Sequence, residues 1–230
     1  MGCFNIAIDG PAGAGKSTIA KGLAKKLGFI YVDTGAMYRA MALYFIRNNV
    51  NPEDTASIER LCDGANVTIT HEGGEQVVLL NGENVNSFIR SEEVSAMASV
   101  SSAVAKVRVK MVELQRELAK TTDVVMDGRD IGSVVLPNAD LKIYLTAAVE
   151  VRAKRRYDEQ QAKGVVCDFE AICENIRERD YRDSHREVSP LIQAEDAVLV
   201  DDSYTGIEET VALIYNLYLK KANDMQKNDK

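Results

Sequence analysis

Phe4-Asn5-Ile6-Ala7-Ile8-Asp9-Gly10-Pro11-Ala12-Gly13-Ala14-Gly15-Lys16-Ser17-Thr18 is the run on which the reading of the chain turns. Phe4, Ile6, Ala7 and Ile8 give a strand-like apolar signal that ends at Asp9-Gly10. From Gly10 the spacing G-x-x-x-x-G-K-S closes on Gly15, Lys16 and Ser17. Beyond it, Ile19, Ala20, Leu23, Ala24 and Leu27 recur at helical spacing. Strand, glycine-rich turn and helix, in that order, are the context in which this motif binds phosphate. Glycines 10, 13 and 15 let successive N–H groups turn inward toward phosphate oxygens. The helix N-terminus that follows favours anions. Lys16 can reach the β- and γ-phosphates, and the Ser17 hydroxyl can ligate magnesium. Gly10, Pro11, Ala12, Gly13, Ala14, Gly15, Lys16, Ser17 and Thr18 are therefore read as a nucleoside-triphosphate site. The alternative is a glycine-rich turn with a chance Lys-Ser.

Working outward, Phe29 to Asp33 reads as a short strand, and Thr34-Gly35 opens a second helix. Thr55 to Cys62 is a short helix. From Asn66 to Arg90 the character changes, with Val67 and Ile69, then Val77 to Leu80, flanking His71-Glu-Gly-Gly74 as a hairpin. Asn81-Gly82 marks a second turn. Helices over about 91–101 and 104–120 follow, then strands at Asp123–Asp127 and Lys142–Thr146. Glu150 to Glu187 is charged and helical, Ala197–Asp201 is a last strand, and Ile207–Tyr218 a last helix. Alternating strands and helices predict an α/β fold, a parallel central sheet with helices on both faces. Asp9-Gly10, Asp33-Thr34, Asp127-Gly128 and Thr146 then fall at carboxyl ends of strands, where such folds bind ligands.

Composition narrows the function further. At 230 residues the chain suits one core with insertions. No run of about 18 apolar residues occurs, so a membrane span is not expected. The first strand starts too early to leave room for a signal peptide, and a cytoplasmic location is the expectation. Cys3, Cys62, Cys167 and Cys173 show no metal-ligand spacing, and only His71 and His185 could join them. A net charge of −7 argues against binding a nucleic-acid polymer. No long apolar seam is left over once the core helices are assigned, so a monomer is expected.

A phosphate loop leaves switch GTPases, motor ATPases and small-molecule kinases open. The late strands end in Leu145-Thr146-Ala147-Ala148 and Val200-Asp201-Asp202-Ser203, without the N-K-x-D element of a guanine switch. The chain is short for a motor. Seven of its fourteen arginines lie between Arg152 and Arg186, and guanidinium groups stabilise the charge that develops on a transferring phosphoryl group. Arg152, Arg155 and Arg156 are placed near the donor phosphates, with Asp183 and Arg186 facing the acceptor; the alternative is a solvated helix face. Such a segment could close as a water-excluding lid. Asp33 could either ligate magnesium through water or cap the helix after Thr34.

Four segments together resemble bacterial cytidylate kinases: Gly10 to Thr18, Asp33-Thr-Gly-Ala-Met-Tyr-Arg39, Asp127-Gly-Arg-Asp-Ile-Gly132, and Glu178-Arg-Asp-Tyr-Arg-Asp-Ser-His-Arg186. The resemblance spans essentially the whole chain. It implies a three-layer P-loop kinase fold and transfer of the γ-phosphate of ATP to CMP or dCMP, with Mg2+. The β-rich insertion at about 66–90 also matches that family, and the chain is divided into a core over about 1–60, 104–150 and 188–222 with an acceptor-binding insertion over about 61–103. A lid over about 151–187 and a frayed tail at 223–230 complete that division. Carried over by position, Thr34, Arg39, Ser99, Arg108, Arg129, Asp130, Asp183 and Arg186 become the acceptor residues, with Lys16 and Arg129 catalytic. On this reading Arg39 and Arg129 grip the CMP phosphate, and Asp130 accepts from the cytosine amino group. Ser99 and Arg108 complete the base edge, while Asp183 and Arg186 meet the pentose. Thr34 stands where some members have serine. Plainer roles stay open: Arg39 pairing with Asp33 or Glu53, Ser99 as packing, Arg108 as a solvated charge, and Asp130 as an anchor for Arg129. A kinase for another small acceptor such as shikimate is the next alternative, and a slowly hydrolysing switch the one after.

Overall fold

The computed structural model describes residues 3–73 and 75–228. The chain divides into two compact units, one of residues 1–31 with 122–230 and one of residues 32–121. The first carries most of a five-stranded sheet. Its strands are β1 (Asn5–Asp9), β2 (Ile30–Asp33, entering from this unit), β6 (Val124–Gly128), β7 (Leu141–Thr146) and β8 (Val198–Asp201). They lie in the order β2-β6-β1-β7-β8. β1 runs parallel to both β6 and β7, and β7 parallel to β8, as the alternating pattern predicts. β1 and β6 are almost wholly buried, which is why they read as unbroken apolar runs.

Helix α1 (Lys16–Leu27) buries Ile19, Ala20, Leu23 and Ala24 and ends at Gly28, whose φ of 73° places it in the left-handed C′ conformation. Its partner is α8 (Ile207–Asn228), the last helix, through Val211 and Ile214. A Cβ added at Gly22 would lie 3.1 Å from Val211 Cγ2, so the absent side chain sets how near the two helices come. Phe4, Phe29 and Tyr218 seal one end in edge-on contacts. α8 runs beyond Tyr218 through Asn228, into the stretch expected as a tail, because 219–227 holds neither Gly nor Pro. Asp229 and Lys230, the end of that expected tail, lie outside the described residues.

The charged stretch after β7 is two helices, α6 (Val149–Ala162) and α7 (Phe169–His185). Gly164, at φ 72°, turns the chain between them, and Asp168 caps α7 by accepting from the Glu170 amide at 2.8 Å. They share a small core of Ala153, Ile172, Cys173 and Ile176, edged by Tyr157 against Phe169.

In the second unit, α2 (Thr34–Arg47) and α3 (Thr55–Leu61) precede an antiparallel meander of β3 (Val67–Glu72), β4 (Glu75–Leu80) and β5 (Glu83–Asn84). Asn81 and Gly82, at φ 51° and 85°, make the positive-φ turn that their sequence signals. Helices α4 (Glu92–Ser101) and α5 (Ala105–Thr121) close the unit. It is wider than the expected 61–103 segment because α2 packs on α4 and α5, drawing them into one body with the meander.

Candidate active site

In the core unit, the carboxyl ends of β6, β1 and β7 lie side by side, with Asp9 opposite Gly128 and Tyr144. Gly10 leaves β1 at φ 150°, and a Cβ there would sit 1.9 Å from the Leu145 carbonyl oxygen, so only glycine fits. Gly13 and Gly15, at φ 77° and 80°, carry the loop to the first turn of α1. Lys16 is buried, and its Nζ donates to the Pro11 carbonyl at 2.7 Å, spanning its own loop. Burial pushes its ammonium down to about 7, Arg129 pushes the same way, and Asp127 and Asp9 oppose them.

Ser17 Oγ donates to Asp127 Oδ2 at 3.0 Å, and Tyr31 Oη donates to Asp127 Oδ1 at 2.9 Å. A hydroxyl and a carboxylate thus meet at the start of α1, the donor pair with which phosphate-loop proteins hold Mg2+. From sequence, Asp127 is only the end of a buried strand. Its signal, an acid closing a strand beside the loop strand, was present but shared with Asp33. Asp33 lies in the other unit and has other partners: Oδ1 accepts from the Ala36 amide at 2.8 Å, and Oδ2 lies 3.3 Å from Arg39 and 3.4 Å from Arg90. Of the two readings left open for Asp33, helix capping is the role its atoms perform here. Among the described residues, no three His, Cys, Asp or Glu side chains cluster as a metal site of their own.

The lid arginines divide by environment. Arg152 is buried and fully engaged, with Nε donating to Ala147 O at 2.8 Å, Nη1 to Ala12 O at 3.0 Å and Nη2 to Asp180 Oδ2 at 2.7 Å. It lies against the phosphate loop, as its placement near the donor expects, and fastens that loop to α6 and α7 with its nitrogens bonded to protein acceptors. Arg155 donates to the Asp202 carboxylate at 3.2 Å and to the Asp202 carbonyl at 3.0 Å. Arg156 is exposed.

Arg179 is one of the seven arginines between Arg152 and Arg186, and its sequence setting does not distinguish it from the others. Burial and the neighbouring Arg129 push its guanidinium down to about 10, with Arg156 and Arg182 adding to the effect. Its Nε is buried with no hydrogen-bond partner among the described residues. Arg129 Nε donates to Asp183 Oδ2 at 2.9 Å. Burial pushes the Asp183 carboxyl up, but Arg129, Arg179 and Arg186 together hold it below the ordinary carboxylate range. Asp130 is buried with Arg186 Nη2 3.9 Å from its Oδ1, and Arg186 Nε donates to Ser189 O at 2.6 Å. Lys16, Asp127, Arg129, Asp130, Arg179, Asp183 and Arg186 are thus gathered in one unit. Thr34, Arg39, Ser99 and Arg108 belong to the other. There Thr34 starts α2, Ser99 is half-buried on α4, and Arg108 is buried, donating to Ser102 O at 3.1 Å and lying over the Tyr38 ring.

A glycine-rich phosphate loop at the switch point of a parallel sheet, faced by cationic side chains from a helical pair, defines a P-loop phosphotransferase of the small-molecule kinase class. The particular group is also clear. A model of the family described as Cytidylate kinase matches residues 6–220, and the chain belongs to that family. A cytidylate kinase of Caldicellulosiruptor bescii is 49% identical over 217 residues, covering 94% of this chain and 96% of the relative. One from Lactobacillus johnsonii is 50% identical, covering 95% of each. One from Enterococcus faecalis is 46% identical, covering 98% of this chain and all of the relative. A solved shikimate kinase from Acinetobacter baumannii, bound to shikimate, gives a TM-score of 0.48 at 17% identity over 95% of this chain and 94% of its own, too loose to bear on acceptor choice.

Proposed function

We propose that the protein transfers the γ-phosphate of ATP to CMP and dCMP by direct in-line attack of the acceptor phosphate oxygen. The observation that carries this is the cationic group of buried Lys16 and half-buried Arg129 and Arg179, in which the Arg179 Nε has no hydrogen-bond partner among the described residues. Such a group costs free energy unless an anion arrives to meet it. A phosphoryl group in transfer is such an anion, and no general base is needed because the acceptor is already a phosphate oxygen.

Lys16 and the loop amides of Gly10 to Thr18 hold the donor phosphates. Arg129 and Arg179 bridge the transferring group, and Arg156 is free to approach as the lid of about 151–187 closes. Arg155 orients the donor side through Asp202. Ser17 and Asp127 would hold Mg2+ when it accompanies ATP, and the ion would supply charge neutralisation to the phosphates. Asp130 accepts from the cytosine amino group, Asp183 and Arg186 meet the pentose, and Thr34, Arg39, Ser99 and Arg108 are the other acceptor residues on this reading. That assignment is supported by family membership and by the match of the Asp33–Arg39 and Asp127–Gly132 segments. The enzyme acts as a single chain in the cytoplasm on this reading; among the described residues no helix is long and apolar enough to cross a membrane.

A coupled ADP-release assay with Mg-ATP and, separately, CMP, dCMP, UMP, AMP, GMP and shikimate tests the assignment. Turnover concentrates on CMP and dCMP if it is right. Silence with all six acceptors, despite retained ATP binding, overturns it. In the same assay Asp130→Ala should cut the preference for CMP over UMP by at least about tenfold, since a buried acceptor matched to an amino group is what rejects uracil. An unchanged ratio would remove Asp130 from base selection.

A further inference from the structure

The segment that carries Arg129 and Asp130 has no regular strand or α-helix of its own. It leaves β6 at Gly128, passes through Arg129 and Asp130, and coils into one π-helical turn over Ile131–Val135. That turn is closed by Val135 N donating to Asp130 O at 3.0 Å and Leu136 N to Ile131 O at 2.7 Å. Turns of this kind are frequent at functional sites and are held by their surroundings more than by themselves. What holds this one is a pair of buried, oppositely charged side chains on neighbouring strands.

At the entry, Asp9 at the end of β1 accepts from the Ile131 amide through Oδ1 and from the Gly132 amide through Oδ2, each at 2.7 Å. At the exit, Lys142 on β7 donates from Nζ to Pro137 O at 2.6 Å and to Asp196 Oδ1 at 2.8 Å. Both are buried. Gly132 lies between them: a Cβ there would stand 3.3 Å from Asp9 Oδ2 and 3.1 Å from Lys142 Cδ. A glycine is thus kept where the carboxylate comes closest. Burying Asp9 carries a cost, since desolvation pushes its carboxyl up to about 6 even with both amides bound. In the phosphate loop this carboxylate does no more than oppose the lowering of the Lys16 ammonium.

We propose that Asp9 is a positioning residue for the acceptor: by holding the Ile131 and Gly132 amides it fixes the backbone from which Arg129 and Asp130 project, and so sets acceptor affinity and base choice without touching the acceptor. This rests on the acceptor roles given to Arg129 and Asp130 under the proposed function. The physical ground is that a two-point, charge-assisted grip on consecutive amides leaves the intervening backbone little freedom. A misplacement of about 1 Å at such a site costs on the order of 10²-fold.

The test is Asp9→Asn, nearly identical in shape but with an amide NH2 facing the Gly132 N–H. It is joined by Gly132→Ala, which keeps the carboxylate and crowds it from the other side. The expected result is a 10- to 100-fold loss in kcat/KM for CMP (~10²-fold at the upper end) and a smaller CMP-over-UMP ratio. KM for ATP should stay within about threefold, a split that a merely structural role would not produce. Unaltered CMP kinetics and base ratio in whichever variant folds overturn the proposal. Equal losses toward ATP and CMP with the ratio kept do so as well, because they place Asp9 in support of the donor loop. Amide proton shifts of Ile131 and Gly132 give a reading that does not depend on the acceptor. They move upfield in Asp9→Asn if the grip exists and stay in place if it does not. Failure of the acceptor assignment, seen as silence of the wild-type chain toward CMP, is thereby told apart from failure of the anchoring.

Discussion

Arg129→Ala will lower kcat for CMP phosphorylation by about 10³- to 10⁵-fold, the range known for an arginine that stabilises a transferring phosphoryl group. The side chain is half-buried, close enough to Lys16 to depress that ammonium, and held on one edge by Asp183. Its Nε is committed to the carboxylate at 2.9 Å, while Nη1 makes only a long 3.5 Å contact with Gly128 O, so the terminal nitrogens can face an incoming anion. Truncation also strands the Asp183 carboxylate, so part of the loss will appear as weaker acceptor binding. Arg129→Lys separates the two effects. A point charge restores some pairing with Asp183 but not the planar fork, so CMP KM should recover more than kcat. Coupled turnover at saturating ATP measures both. A loss of less than about tenfold in Arg129→Ala would leave Lys16 and Arg179 to account for the chemistry.

For Arg152→Ala the expected loss is in stability, about 3–5 kcal/mol, the cost of removing one partner from a buried charge pair. Three acceptors lose their donor together: the Ala12 and Ala147 carbonyls and Asp180. Asp180 Oδ1 has no hydrogen bond among the described residues, so losing Arg152 leaves the carboxylate without this charged partner. The stem of Arg152 also packs 3.4 Å from the point where a Cβ on Gly13 would lie, walling the phosphate loop. Denaturant unfolding measures the loss, and a parallel titration with ATP should show weakened donor binding. Arg152→Lys recovers little, because a single ammonium cannot serve three acceptors set in different directions. If Arg152→Ala unfolds like the parent and loses only kcat, the residue is a phosphate ligand after all.

The contrast between these arginines shows where reading the sequence stops. The strand, loop and helix from Phe4 to Leu27 were legible because their signals are local: an apolar run, glycines at fixed offsets, and a 3.6-residue period. The parallel sheet followed from alternation, and the Asn81-Gly82 turn from its dipeptide. Asp33 and Asp127 could not be ranked, since each ends a buried apolar strand and only the fold decides which one meets Ser17. Arg152, Arg155, Arg156 and Arg179 sit in equally charged helical sequence. Whether a guanidinium is spent on carbonyls or left facing an anion depends on helix packing that composition does not encode. The length of α8 was underestimated for a simpler reason: polarity after Tyr218 was read as an end, although no residue there stops a helix.

The order of the sheet bears on how the protein comes into being. β1 is made before β6 and β7, yet it ends up between them, and they follow only after the whole second unit has been synthesised. Helix α1 waits longer still, because Val211 and Ile214 of the last helix cover its apolar face. A nascent chain therefore carries its nucleotide loop from the outset without a floor or a wall to hold it. Contacts so distant along the chain are slow to form. Competence to bind ATP should accordingly arrive only once α8 has been made, and β1 is the stretch most in need of shelter until then.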